Sequence, residues 1–425
     1  MHYKQLTVDG APLENRRTKL YWMCMLLIVC ACVEGGSFIC LRLLRVKGVP
    51  GVTAKGLTAR ERTILLRFAD DDPATFFAYS QTLGWVHRPS AMRREEREII
   101  NAQGLRAKRE FPATSPEQLR IAAFGDSFTY GDEVSNAETW EEQIMLREPA
   151  WTVLNAGVAG YGVDQAMLRY KKMASVLTPH VVLIGFMTEN INRSVNTYRP
   201  FLDRGSSMIS KPRFVLYGDH LKLIPNPMQR LDDLRALAND ETNSMLAKAG
   251  EHDYFYQKRF YVERLWDVLP SVHLTRVAVS QIREQLLDEP ITRGGQYNTR
   301  SEAFQVTKAI LQQFYRDVLR NRAVPLIILF PDRATIEAYR RNGYSIYEPL
   351  KDDLKRDAFE TIDLLDALNE VSTIAPVFGR YHYSTVGNRI VAQKITSYFR
   401  ERRLDDPNVR GNILLREQRR LLPDV

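Results

Sequence analysis

Short, mostly apolar runs alternate with amphipathic stretches through the middle of this chain. The runs at 120–124, 151–155, 180–186, 324–330 and 359–364 suit strands, and most of them lack the polar alternation of a half-solvated strand. That pattern predicts strands buried on both faces. Between them, 161–176, 302–321 and 386–400 repeat apolar residues at helical spacing. Strand and helix in alternation predict a parallel sheet flanked by helices, with ligands at the carboxyl ends of the strands.

Other segments do not fit that alternation. Residues 42 to about 115 read as a mixed lead-in with two short helical stretches and no sheet. The segment from about 196 to 300 is too long for a simple connection. Arg230–Ala249 and Phe260–Leu287 both carry helical periodicity, and Tyr254-Phe255-Tyr256 suggests exposed or lid-like aromatics. A partly helical insertion over or beside the ligand site is one reading, and an outlying decoration is the other. The residues from 405 to 425 read as a charged, peripheral tail.

The longest apolar stretch, Leu20–Leu41, is broken only by Glu34 and Gly35-Gly36. As a helix it reaches about 33 Å, enough for a hydrocarbon core of about 30 Å. Basic residues flank it on both sides, so charge leaves its orientation open. An uncleaved single-pass anchor after a cytoplasmic segment 1–19 is expected, with a cleaved signal peptide as the alternative. All four cysteines lie within this stretch. The rest of the chain therefore has neither a disulfide nor a thiolate metal site.

The formal charge of +8 permits an anionic partner, but the basic residues are interspersed with acids. Arg93-Arg94-Glu95-Glu96-Arg97-Glu98, for example, reads as a solvated helical face. No zinc-finger spacing or aromatic–basic repeat supports nucleic-acid binding. Gly157-Val158-Ala159-Gly160-Tyr161-Gly162 has the order G-x-x-G-x-G and follows the second strand, which argues against a dinucleotide loop.

The chemistry concentrates at Phe124-Gly125-Asp126-Ser127-Phe128-Thr129-Tyr130-Gly131, directly after the first buried run. A serine in such a turn lies beside backbone N–H groups that lack internal partners and can hold an oxyanion. Gly125 frees the turn, and Asp126 can accept from nearby N–H groups. The motif resembles block I of the SGNH (GDSL-type) hydrolase superfamily. Asn155-Ala156-Gly157-Val158-Ala159-Gly160 resembles block II, Thr188-Glu189-Asn190 block III, and His382-Tyr383-Ser384-Thr385-Val386-Gly387-Asn388 block V. The four occur in the superfamily's order across residues 119 to 400. Leu83-Gly84-Trp85 and Asn101–Arg106 resemble the lead-in of membrane-anchored members.

The resemblance implies a flavodoxin-like α/β fold with a five-stranded parallel sheet over 116–404, and no cofactor or metal. It gives Ser127 the nucleophile's role and His382 the base's. The N–H groups of Ser127 and Gly160 and a side-chain amide after the third strand would meet the oxyanion. Two departures matter. Strict alignment puts Glu189 at the amide position, whereas a one-residue shift gives the role to Asn190, which can donate. The acid expected two or three residues before the histidine is missing, since Gly379 and Arg380 stand there. His382 would then be oriented by a backbone carbonyl, leaving a dyad, or by a distant acid such as Asp363 or Asp366. Arg193, Tyr198 and Arg199 could edge the pocket or form surface ion pairs.

The expected activity is hydrolysis or transfer of O-acyl groups on an exocytoplasmic glycan. A lipid esterase or thioesterase is the nearest rival, and a non-catalytic glycan-binding protein the rival from another class.

Overall fold

Five parallel strands form the central sheet: β1 (Leu119–Phe124), β2 (Trp151–Asn155), β3 (Val181–Met187), β4 (Val324–Phe330) and β5 (Thr361–Asp363). Their order is β5-β4-β3-β1-β2, the flavodoxin-like arrangement whose ligand crevice opens beside the first strand. This computed structural model describes residues 13–47, 49, 52, 56–112, 118–256, 265–286 and 289–422. Every residue of β1, β3 and β4 is buried, which is why their sequences carry no polar alternation. Helices Val163–Leu177, Glu302–Arg320 and Thr385–Glu401 each turn an apolar face inward. Strand and helix limits agree with the periodicity to within one or two residues.

The chain divides into two units, 1–55 with 257–288, and 56–256 with 289–425. The larger unit holds the sheet and corrects several expectations. Among the described residues, the lead-in has one helix, Ala59–Ala69, and two hairpins, Phe77–Ser80 with Gly84–His87 and Met92–Arg93 with Glu98–Ile99. The second hairpin replaces the expected solvated helical face. Arg94, Glu95 and Glu96 turn through positive φ, and Glu98 is fully buried between Arg93, Arg94 and the Tyr130 hydroxyl. Arg230–Ala249 is two helices, Leu231–Ala238 and Ser244–Gly250. The Asp240 carboxylate accepts from the N–H groups of Met245 and Leu246, which starts the second helix afresh. Phe255 is buried and Tyr254 donates its N–H to Val195 O at 3.0 Å, so this aromatic triplet is part of the packing. The charged C-terminus forms helix Pro407–Leu421, with Arg410 and Glu417 buried.

In the smaller unit, helix Leu13–Val46 contains the stretch Thr18–Val46, which is long and apolar enough to cross a membrane. Its four cysteines are exposed and unpaired. Helix Pro270–Leu286 lies along it, packing Leu274 and Val277 against Leu41, Leu44, Val49 and Val52. The boundary expected near 115–116 and the first residues of the helix expected from Phe260 lie outside the described residues.

Candidate active site

β1 ends at Phe124, and Gly125-Asp126 turn the chain into the single helical turn Ser127–Tyr130. A Cβ at Gly125 would lie 2.0 Å from Thr129 Oγ1, so only glycine fits beneath that turn. Asp126 caps it, accepting the Phe128 N–H at 2.9 Å. Among the described residues, no group accepts the N–H of Ser127.

The loop beyond the turn is clamped from two sides. The buried Arg106 guanidinium donates to the carbonyls of Tyr130 (2.9 Å), Gly131 (2.6 Å) and Val134 (2.5 Å). Asn155, at the end of β2, donates to Thr129 O and Tyr130 O at 3.1 and 3.2 Å. Between these anchors Glu133 adopts φ +74°. Such a conformation costs a non-glycine residue on the order of 1 kcal/mol or more and persists only where its surroundings impose it.

His382 comes from the other end of the chain. Ser384 caps helix Thr385–Glu401 by accepting from Val386 N and Gly387 N at 3.1 and 3.3 Å. That cap fixes the loop in front of the helix. His382 Nε2 lies 2.8 Å from Ser127 Oγ, and Nδ1 lies 3.0 Å from Glu133 Oε1. An ionised carboxylate can only accept, which assigns the proton to Nδ1 and leaves Nε2 free to receive the serine proton. The Glu133 carboxylate also accepts the N–H groups of Arg380 (2.6 Å) and Tyr381 (3.0 Å).

The structure thus brings Ser127 and His382 together and adds Glu133, which sequence reasoning missed. Asp363 is elsewhere, accepting from the Tyr347 hydroxyl at 2.8 Å and pairing with Lys351 at 3.0 Å. Asp366 is exposed on helix Leu365–Asn369. Both proposals for the acid are corrected on this geometry. The structure explains the gap: a Cβ at Gly379, where the acid is expected, would lie 2.4 Å from Glu133 Oε2. The usual position is emptied because a carboxylate from the serine loop fills it.

Gly160 has φ +80°, and a Cβ there would meet Met208 Cγ at 3.0 Å and Trp85 at 3.4 Å. Among the described residues its N–H also has no acceptor. The insertion therefore reaches this corner of the site through Met208. Asn190, the expected amide donor, is fully buried and gives its Nδ2 to Asp126 Oδ2 at 2.6 Å. This bond stiffens the serine turn and uses one of the two amide hydrogens. Glu189 pairs with Arg193 at 2.8 Å. Arg193 also donates to Asp126 (3.2 Å) and Tyr161 O (2.8 Å). Burial works against its charge, but Glu189 and Asp126 outweigh burial and raise its pKa above the ordinary arginine value. Arg193, Tyr198 and Arg199 are buried, which rules out surface ion pairs for them. Burial lowers the Arg199 pKa to about 10.

The serine turn follows β1, the glycine loop follows β2 and the histidine precedes the last packed helix, on a flavodoxin-like α/β sheet. No family model matches the chain, and no curated protein does. Solved structures similar to it include the lipase/acylhydrolase from Enterococcus faecalis. That match has 14% identity and a TM-score of 0.33, covering 67% of this chain and 97% of that one. A lipolytic protein of the G-D-S-L family from Veillonella parvula gives 15% identity and a TM-score of 0.31, with 66% and 98% covered. A two-domain esterase active on acetylated mannans gives 11% identity and a TM-score of 0.32, with 67% and 49% covered.

Proposed function

We propose that this protein is a serine ester hydrolase or O-acyltransferase of SGNH type that works through an acyl-Ser127 intermediate. The observation that carries the reading is the continuous line from Ser127 Oγ through His382 to Glu133, at 2.8 and 3.0 Å. Ser127 Oγ attacks the acyl carbon as Nε2 takes its proton. The same proton goes to the leaving alkoxide as the ester C–O bond breaks. Water or a second hydroxyl then attacks the acyl-serine, losing its proton to Nε2 and releasing Ser127. Glu133 holds the Nδ1–H tautomer and offsets the imidazolium charge. The N–H groups of Ser127 and Gly160 are the oxyanion donors in this scheme.

The resemblance and the apolar N-terminal helix support an O-acylated glycan outside the cytoplasm as the substrate class, met by a membrane-tethered enzyme. The test is fluorophosphonate labelling of the full chain in detergent, alongside release of acetate from p-nitrophenyl acetate and acetylated oligosaccharides. Labelling and turnover that vanish in Ser127→Ala and His382→Ala support the reading. A folded wild type that neither labels nor turns over any ester would overturn it and favour a glycan-binding role.

A further inference from the structure

Glu34 is an acidic residue inside the segment that reads as a membrane anchor. Fourteen apolar or neutral residues, Leu20–Val33, precede it and supply only about 21 Å of helix. A hydrocarbon core of about 30 Å must therefore extend past Glu34 toward Leu41. An ionisable group at that depth is costly unless it has a partner.

Its partner comes from the insertion. Glu34 Oε2 accepts the N–H of Ser271 at 3.0 Å, and Oε1 accepts the Ser271 hydroxyl. Ser271 is the second residue of helix Pro270–Leu286, so the carboxylate meets the positive end of that helix. From this cap the two helices run in the same direction. Ser271 lies at Glu34, and a further turn or two along, Leu274 and Val277 pack at Leu41 and Leu44.

The opposite face of Pro270–Leu286 is also apolar. At 100° per residue, Val272, Val279 and Ile282 fall on the side facing away from Val277. Val279 and Ile282 are 58% and 53% exposed, and Trp266 and Val268, just before the helix, are 71% and 83% exposed. Exposed Thr275 shares this outward face, and Arg276 and Ser280 lie between it and the packed face. A helix packed on one apolar face and bare on the other, joined to a membrane-length helix beside an intramembrane acid, is continuous with a lipid-facing surface.

We propose that residues 265–286 form a second membrane-contacting element. They enter the leaflet on the C-terminal side of the anchor, with Val279 and Ile282 against acyl chains and Ser271 capped by Glu34. The insertion would then attach to the bilayer independently of the single span. This proposal rests on the anchor reading and not on the acyl-transfer reading.

The test uses the full chain in phosphatidylcholine/phosphatidylglycerol vesicles, with Cys24, Cys30, Cys32 and Cys40 replaced by serine. Single cysteines at Val279→Cys, Ile282→Cys, Val29→Cys and Tyr217→Cys carry an environment-sensitive fluorophore. Quenching by nitroxide lipids is compared with quenching by aqueous iodide. The expected result is loss of emission to nitroxide lipids at 29, 279 and 282, and to iodide at 217. Glu34→Leu should shift 279 and 282 toward iodide while leaving 29 unchanged. Iodide quenching at 279 and 282 with lipid quenching at 29 overturns the proposal and keeps the anchor. Iodide quenching at all three overturns both. Protection from both quenchers, with cross-linking between chains at 282, would make a second copy the occupant and overturn the lipid contact.

Discussion

Replacing Glu133 by glutamine changes one oxygen of a carboxylate whose partners are all donors. Oε1 meets both His382 Nδ1 and the N–H of Tyr381 at 3.0 Å, and Oε2 meets the N–H of Arg380 at 2.6 Å. An amide must therefore turn its NH₂ against a donor on one side. If the NH₂ takes the place of Oε2, the Arg380 N–H loses its acceptor, at a cost of about 1–3 kcal/mol for a group held from water and less at this exposed loop. If it faces His382, the proton must move to Nε2, and that tautomer cannot take the proton of Ser127. A wrong tautomer costs about 10⁴ in turnover, or about 5 kcal/mol at 1.36 kcal/mol per decade. Glu133→Gln is expected to lower kcat by about 10² if the amide turns to keep the Nδ1–H tautomer and by about 10⁴ if it does not, with KM nearly unchanged, because Glu133 meets the histidine and not the substrate. The assay is p-nitrophenyl acetate hydrolysis together with the rate of fluorophosphonate labelling.

Gly379 supplies the reciprocal experiment. Gly379→Asp alone places a Cβ 2.4 Å from Glu133 Oε2 and should reduce activity. In Glu133→Ala the space is open, and adding Gly379→Asp should recover a decade or more of the lost rate by returning the acid to the position the motif usually gives it. Turnover of Glu133→Gln within about threefold of wild type, or a double variant no better than Glu133→Ala, would refute the assignment.

Two further perturbations test neighbouring parts of the site. Gly160→Ala combines φ +80° with a 3.0 Å approach to Met208. It should cost about 1 kcal/mol in stability and, by shifting one oxyanion donor, about 10²–10³ in kcat, read by melting and steady-state kinetics. Glu138 accepts from the N–H and hydroxyl of Ser135 and from the Thr385 hydroxyl, tying the serine loop to the helix behind His382. The Ser135 hydroxyl bond, then its N–H bond, are the main causes that lower the Glu138 pKa from 4.5 to about 2. A carboxylate depressed on folding stabilises fully above its unfolded value. Stability should therefore fall as pH drops from about 4.5 toward 2, and Glu138→Gln should flatten acid unfolding over that window.

The sequence by itself determined what local periodicity and short motifs can carry. Strands buried on both faces are mostly apolar, and helices packed on one face repeat near every third or fourth residue. Five strands and the main helices were therefore legible almost to the residue. Ser127 and His382 were legible because each stands in a motif whose neighbours shape its own turn: Gly125 and Asp126 in one, Ser384 in the other. Only the tertiary structure decided the rest. Glu133 is 249 residues from His382, and nothing in its neighbours Asp132 and Val134 marks it as an acid partner. Its role depends on Arg106 clamping the loop and on Gly379 leaving room. Asn190 could donate by its chemistry, and packing turned one of its amide hydrogens toward Asp126. Glu98 belonged to a charge run that reads as solvated, until a hairpin folded it under Arg93 and Tyr130. In each case an ionisable or amide side chain has several satisfactory partners in principle. The choice among them is made by which segments distant in sequence the sheet brings within hydrogen-bonding distance.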